Sequence, residues 1–139
     1  MEKPQIEGNV ITIPSSDKYL ADVDTFLEGI LRELNVDQSV IADIAISVSE
    51  LVNNAIFHGN KNAPDKTVKV AVQRTPEGVM VSVTDEGGGF DPGNIKNPVA
   101  EENLLKEVGR GIFIVRSLMD KVDIEPTDRG TTTTITKCV

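Results

Sequence analysis

The chain has 139 residues, 39% hydrophobic and 26% charged, which is the balance of a globular protein with length for about one domain. Its 14 Lys and Arg against 22 Asp and Glu leave a formal charge of −8, so it lacks the basic footprint of a nucleic-acid binder or of a protein that docks on anionic membrane. One cysteine, Cys138, and one histidine, His58, exclude an intrachain disulfide and any cysteine-based or multi-histidine metal site.

Met1-Glu2-Lys3-Pro4 does not have the charged-then-apolar layout of a signal peptide, and no run of 18 apolar residues occurs. The expectation is one cytoplasmic domain over residues 1–139. Val10-Ile11-Thr12-Ile13 reads as a short strand ended by Pro14. Ser15, Ser16 or Asp17 then caps a helix to about Leu34, with Val23, Phe26, Leu27, Ile30 and Leu31 among its apolar positions. Asp37 opens a second helix that stops at Gly59. Val68, Val70 and Val72, then Val79, Val81 and Val83, alternate with polar residues across the turn Pro76-Glu77-Gly78, which predicts a hairpin with one buried face. Asp85 to Gly109 is loop-like, a helix follows from Arg110 to Lys121, and strands are expected near Val122–Glu125 and Thr131–Lys137. Together these predict an α+β sandwich, with helices packed on one face of a mostly antiparallel sheet.

The second helix carries the most informative pattern. At 100° per residue, Ile41, Ile44, Val48, Leu51, Val52 and Ala55 share a broad apolar face, while Asp43, Ser47, Glu50, Asn54 and His58 form a second stripe away from its centre. Glu50 and Asn54 are four apart, so their side chains lie one turn from each other. Such a pair suits a magnesium-binding amide oxygen beside a proton-accepting carboxylate. On helix position alone, a solvated polar face is the commoner explanation.

Two glycine clusters follow. Asp85-Glu86-Gly87-Gly88-Gly89 leaves a strand directly, its glycines permit close approach to a ligand, and Asp85 is placed to accept a hydrogen bond from a purine amino group. Gly109-Arg110-Gly111 sits just ahead of the third helix, where free amides favour phosphate. Neither cluster fits G-x-x-x-x-G-K-[ST] or G-x-G-x-x-G.

Taken in order, Glu50-Leu51-Val52-Asn53-Asn54-Ala55, His58-Gly59, Asp85-x-Gly87-x-Gly89, Gly109-x-Gly111 and Gly130-Thr131 resemble the N, G1 and G2 boxes and the terminal Thr of the GHKL ATPase superfamily. The resemblance implies the Bergerat-type fold, with ATP and Mg2+ as cofactors. It implies that Asn54 binds magnesium, Asp85 holds the adenine amino group, Gly87 and Gly89 shape the adenine pocket, Gly109 and Gly111 lie under the phosphates, and Thr131 supports the Asp85 end.

Within the superfamily, the length, the segment Glu50 to Gly59 and the stretch Gly109 to Asp120 look most like the small bacterial anti-sigma-factor serine kinases. That likeness implies a homodimer that binds a sigma factor and phosphorylates a serine on a STAS-type antagonist. Glu50 would take the serine proton, and Arg110 or Lys106 would neutralise charge on the terminal phosphate. His58 reads as structural, and Glu86 and Cys138 have no assigned chemistry. Two further readings keep the same residues: a nucleotide-gated binding module without kinase activity, and an ATPase in which Glu50 activates water. Pairing of two copies is expected through the strand Asn9–Ile13 against a neighbouring sheet edge.

Overall fold

The computed structural model describes residues 3–61, 63, 65–87 and 109–138. Its strands are β1 (Gln5–Glu7), β2 (Val10–Pro14), β3 (Thr67–Arg74), β4 (Gly78–Asp85), β5 (Lys121–Thr127) and β6 (Gly130–Cys138). Helices α1 (Leu20–Glu33) and α2 (Gln38–Asn54) lie between β2 and β3, and α3 (109–118) precedes β5. The strands form one six-stranded sheet in the order β1-β2-β3-β4-β6-β5, with every neighbouring pair antiparallel. The α+β fold expected from periodicity is the one observed.

The two-residue period of the strands decides which face is covered. Ile11 and Ile13, Val68 to Val72 and Val79 to Val83 at alternate positions, and Ile135 all turn inward and are buried. Phe26, Leu27 and Leu31 of α1, and Ile41, Ile44, Val48 and Val52 of α2, meet them in one core. Thr12, Lys69, Ser82, Thr84, Thr132 and Thr134 occupy the opposite positions, none of them buried. The buried side chains of α1, α2 and the sheet share one core, so both long helices pack on the same face of the sheet.

Local chemistry sets the helix ends. The Ser16 hydroxyl accepts from the Lys18 N–H at 3.3 Å and opens a single 3-10 turn, Asp17–Tyr19, that runs into α1. At the other end Asn35 adopts φ 59, and bonds from Asn35 N–H to Arg32 O and from Val36 N–H to Leu31 O complete a Schellman stop. Asp37 stands at the N-cap of α2 but its side chain makes no capping bond.

Four expectations change in detail. The helix expected to reach Gly59 is α-helical to Asn54 and ends in a wider π turn, Ala55–Gly59, the kind of irregularity that recurs at functional sites. Ser47 is fully buried rather than part of the polar stripe, because it lies one turn from both Ile44 and Leu51 on the inward face. The third helix ends at 118, and Lys121 already belongs to β5. The strand Asn9–Ile13 is no free edge: β2 is paired on both sides, by β1 and by β3, so the edge on that side is β1.

By length and composition Gln38–Gly59 is apolar enough to cross a membrane. Here its apolar side is the floor of the core, which accounts for that composition without a bilayer. Ile44→Ala, at a site with 0% exposure, should cost roughly 2–5 kcal/mol in urea denaturation. Phe113→Ala, at 72% exposure, should stay within about 0.5 kcal/mol of the parent. Equal losses would mean that the core is elsewhere.

Candidate functional site

Along β4 the inward residues are Val79, Val81 and Val83, and the same alternation carries a carboxylate, Asp85, onto the core face at the strand's end. Asp85 is only 8% exposed. Its Oδ1 accepts from the Gly87 N–H at 3.0 Å and from the Thr131 N–H at 3.1 Å. Burial raises its pKa above the ordinary 3.8, outweighing the two N–H groups and the Lys66 charge, which pull it down.

Three glycines make room for this carboxylate. A Cβ at Gly59 would collide with the Asp85 side chain, one at Gly130 with the Asp85 carbonyl oxygen, and one at Gly87 with the Gly59 carbonyl oxygen. Gly130 also adopts φ 152, a conformation that side-chain-bearing residues rarely take. Helix end, strand end and the start of β6 therefore converge on one group.

Asp85 opens onto a cavity of about 80 Å³ between α2, α3 and the sheet. Leu51, Ala55, Val83, Ile112 and Ile124 supply apolar walls, and Asn54, His58, Thr131 and Thr133 supply polar positions. The Thr131 hydroxyl is buried there with no hydrogen-bond partner among the described residues. Apolar walls with an unanswered hydroxyl and a carboxylate at one end suit a flat heterocycle that presents a donor edge.

Glu50 and Asn54 are half-buried one turn apart on α2. A Cβ at Gly111 would stand 3.1 Å from Glu50 Oε2 and 3.4 Å from Asn54 Nδ2, so glycine lets the α3 backbone rest on both side chains. Among the described residues no three His, Cys, Asp or Glu cluster in a way that holds a metal. One amide oxygen at Asn54, facing a backbone crossing, fits an ion that brings most of its oxygen ligands with it, as magnesium does on phosphates.

Of the residues singled out from sequence, Asn54, Asp85 and Thr131 line the cavity; Glu50 and Asn54 meet Gly111, and Gly87 and Thr131 meet Asp85. Gly109 and Arg110 are exposed, and they lie within described helical backbone rather than ahead of it. Gly89 and Lys106 fall outside the described residues. Sequence reasoning passed over Gly130 as a packing residue, the walls Ile112 and Ile124, and the pair Asn60 and Glu86. Glu86, to which the sequence assigns no chemistry, accepts at Oε2 from both Thr67 N–H and the Thr67 hydroxyl, at 2.5 and 2.9 Å. The signal for Gly130 was present as a glycine between two strands; nothing in the sequence separates Asn60 from an ordinary turn residue.

These features, an antiparallel sheet under two long helices with a carboxylate at a strand end and a glycine-crossed Glu/Asn pair, define an ATPase-type nucleotide domain. The family model for the histidine kinase-like ATPase domain matches residues 13–137, and the chain belongs to that family. The GHKL resemblance is thereby borne out. The chain is similar to the serine-protein kinase RsbW of Staphylococcus aureus strain Newman, at 28% identity over 134 residues covering 91% of this chain and 84% of the relative. Among solved structures it is similar to the RsbU and RsbW domains of Rv1364c from Mycobacterium tuberculosis, with TM-score 0.67 and 27% identity over 93% of this chain. The match spans 32% of that longer chain. The histidine kinase domain of the Erythrobacter litoralis EL346 blue-light activated histidine kinase shares the fold, with TM-score 0.53 at 19% identity over 88% of this chain and 60% of its own.

Because folding raises the Asp85 carboxyl, the unfolded chain releases that proton at lower pH than the folded chain does. The stability Asp85 contributes is fully present below its unfolded value of 3.8 and is lost as pH rises through the folded value. Asp85→Asn, which cannot ionise, should therefore gain stability relative to the parent across that window. Urea titrations of both proteins from about pH 3 to about pH 7 check this, and a pH-independent difference would contradict it. Gly130→Ala, strained in φ and blocked by the Asp85 carbonyl, should cost more than about 1 kcal/mol in the same assay.

Proposed function

We propose that this protein is an ATP- and magnesium-dependent serine kinase that acts as an anti-sigma factor, binding a sigma factor and phosphorylating a serine on a STAS-type antagonist. The observation that carries the reading is the crossing of α3 over Glu50 and Asn54 at Gly111, with Asn54 lining the same cavity as Asp85. The RsbW relatives, named as serine-protein kinases, support the reaction type.

In this reading the purine amino group donates to Asp85, whose Oδ1 is already held by two backbone N–H groups. Thr131 offers its spare hydroxyl to the same base, and Leu51, Val83, Ile112 and Ile124 exclude water from its faces. Asn54 holds magnesium through its amide oxygen, and the ion supplies charge neutralisation on the phosphates. Gly87 shapes the base pocket, Gly109 and Gly111 bring backbone under the phosphates, and Arg110 is placed to approach them from the exposed side. Gly89 and Lys106 complete the proposed set from outside the described residues.

Phosphoryl transfer needs little covalent help from the protein, so positioning and charge do most of the catalysis. Glu50 accepts the proton of the substrate hydroxyl while the serine oxygen bonds to the terminal phosphorus and the bond to the ADP oxygen breaks. Its place at the helix surface, one turn from Asn54, leaves it reachable by a hydroxyl on another protein. Assembly as a homodimer in the cytoplasm belongs to the same reading, with β1 as one of the two edges of the sheet.

The test is transfer of terminal-phosphate label from ATP with magnesium to STAS-type proteins of the same genome. The parent should label one serine. Glu50→Ala should lower the rate about 10²–10⁴-fold while nucleotide affinity changes little. Free phosphate without labelled protein would overturn the kinase reading in favour of an ATPase, and unimpaired transfer by Glu50→Ala would remove Glu50 as the base.

A further inference from the structure

Asn60 is 1% exposed, in a position where a buried amide must find partners for every group it carries. It finds them on three separate stretches of chain. Its backbone N–H donates to Ala55 O at 2.8 Å and closes the π turn that ends α2. Its Nδ2 donates to Thr67 O at 2.9 Å, at the start of β3. Its Oδ1 accepts from the Glu86 N–H at 2.8 Å, the peptide immediately after Asp85. Glu86 then reaches back to Thr67 N–H and hydroxyl, so residues 60, 67 and 86 form a closed ring of bonds.

The ring lies directly behind the Asp85 carboxylate. Gly59, where a Cβ would collide with that carboxylate, is the neighbour of Asn60 on one side, and Glu86 is the neighbour of Asp85 on the other. The Asn60 amide therefore fixes the distance between the end of α2 and the end of β4. That distance decides where the free edge of the Asp85 carboxylate points. Gly87 packs against the Gly59 carbonyl in the same gap, so a change in spacing would shift both partners of the proposed base edge.

We infer that Asn60 is a positioning residue for nucleotide selectivity: by clamping Glu86 and Thr67 to the end of α2, it aims Asp85 at a donor group on the base. It touches no ligand itself. The inference rests on the proposed nucleotide reading, and it extends that reading from which residue meets the base to what makes the meeting selective.

The experiment compares dissociation constants for ATP and for purine riboside triphosphate, which lacks only the 6-amino group, in the parent, Asn60→Ala, Asn60→Ser and Asn60→Asp. The serine hydroxyl is too short to bridge Thr67 and Glu86, so this variant stands in if the alanine variant does not fold. The aspartate keeps the acceptor for Glu86 N–H. The parent should prefer ATP by about tenfold or more, the worth of a hydrogen bond to a charged group. Asn60→Ala and Asn60→Ser should weaken ATP binding until the preference approaches unity, with affinity for purine riboside triphosphate nearly unchanged, and Asn60→Asp, which cannot donate to Thr67 O, should fall between them and the parent. If the alanine and serine variants lose affinity for both nucleotides equally, Asn60 is only a structural residue and the inference is overturned. If the parent itself shows no preference, the assignment of Asp85 to the base fails first, and this inference falls with it.

Discussion

The carboxylate of Asp85 is the group around which the rest of the molecule is arranged. An acid at the inward position of a strand end is costly to ionise, and burial pushes its pKa up despite two N–H donors. The chain meets that cost with a shell that has no spare volume: glycines at 59, 87 and 130 leave the carboxylate and its peptide just enough space, and the N–H groups of Gly87 and Thr131 hold one oxygen. The carboxylate lines an apolar cavity with a threonine hydroxyl that has no partner among the described residues. A site in that state has more acceptor capacity than its own chain satisfies, which is the condition for selecting a ligand by its donors.

One helix links the two ends of that cavity. Glu50 and Asn54 lie in the last turns of α2, and the π turn that follows delivers Gly59 to Asp85 and Asn60 to the bonds behind it. Rigid elements hold a constellation more accurately than loops do, so the base end and the phosphate end of the proposed site share one reference frame. The formal charge of −8 gives a polyanionic ligand no general attraction. In the proposed reading, binding comes from local features: backbone amides near Gly111, a cation held at Asn54 and the Asp85 carboxylate accepting from the base.

Much of this was legible before any coordinates. Alternating valines announced β3 and β4, and the same period of two carries Asp85 onto the core face in the structure. The spacing of Glu50 and Asn54 put them on one side of α2 by helical geometry alone. Other features were not legible, for identifiable reasons. Ser47 reads as polar by residue type, but its angular position between Ile44 and Leu51 buries it. The turn at Ala55–Gly59 is set by tertiary bonds from Asn60, which no local propensity encodes. The partner of β2 on its outer side is not legible, because β1, three residues long, is too short to show a period of its own.

The account stands or falls on where a nucleotide sits, and a crystal structure of the protein with magnesium and a non-hydrolysable ATP analogue measures that directly. The account predicts the base in the cavity beside Leu51 and Ile112, its exocyclic amino group on the Asp85 carboxylate, magnesium on the Asn54 amide oxygen and the phosphates against the Gly111 backbone. A nucleotide bound elsewhere, or one in this cavity with its phosphates toward Asp85 and its base toward Glu50, would contradict it.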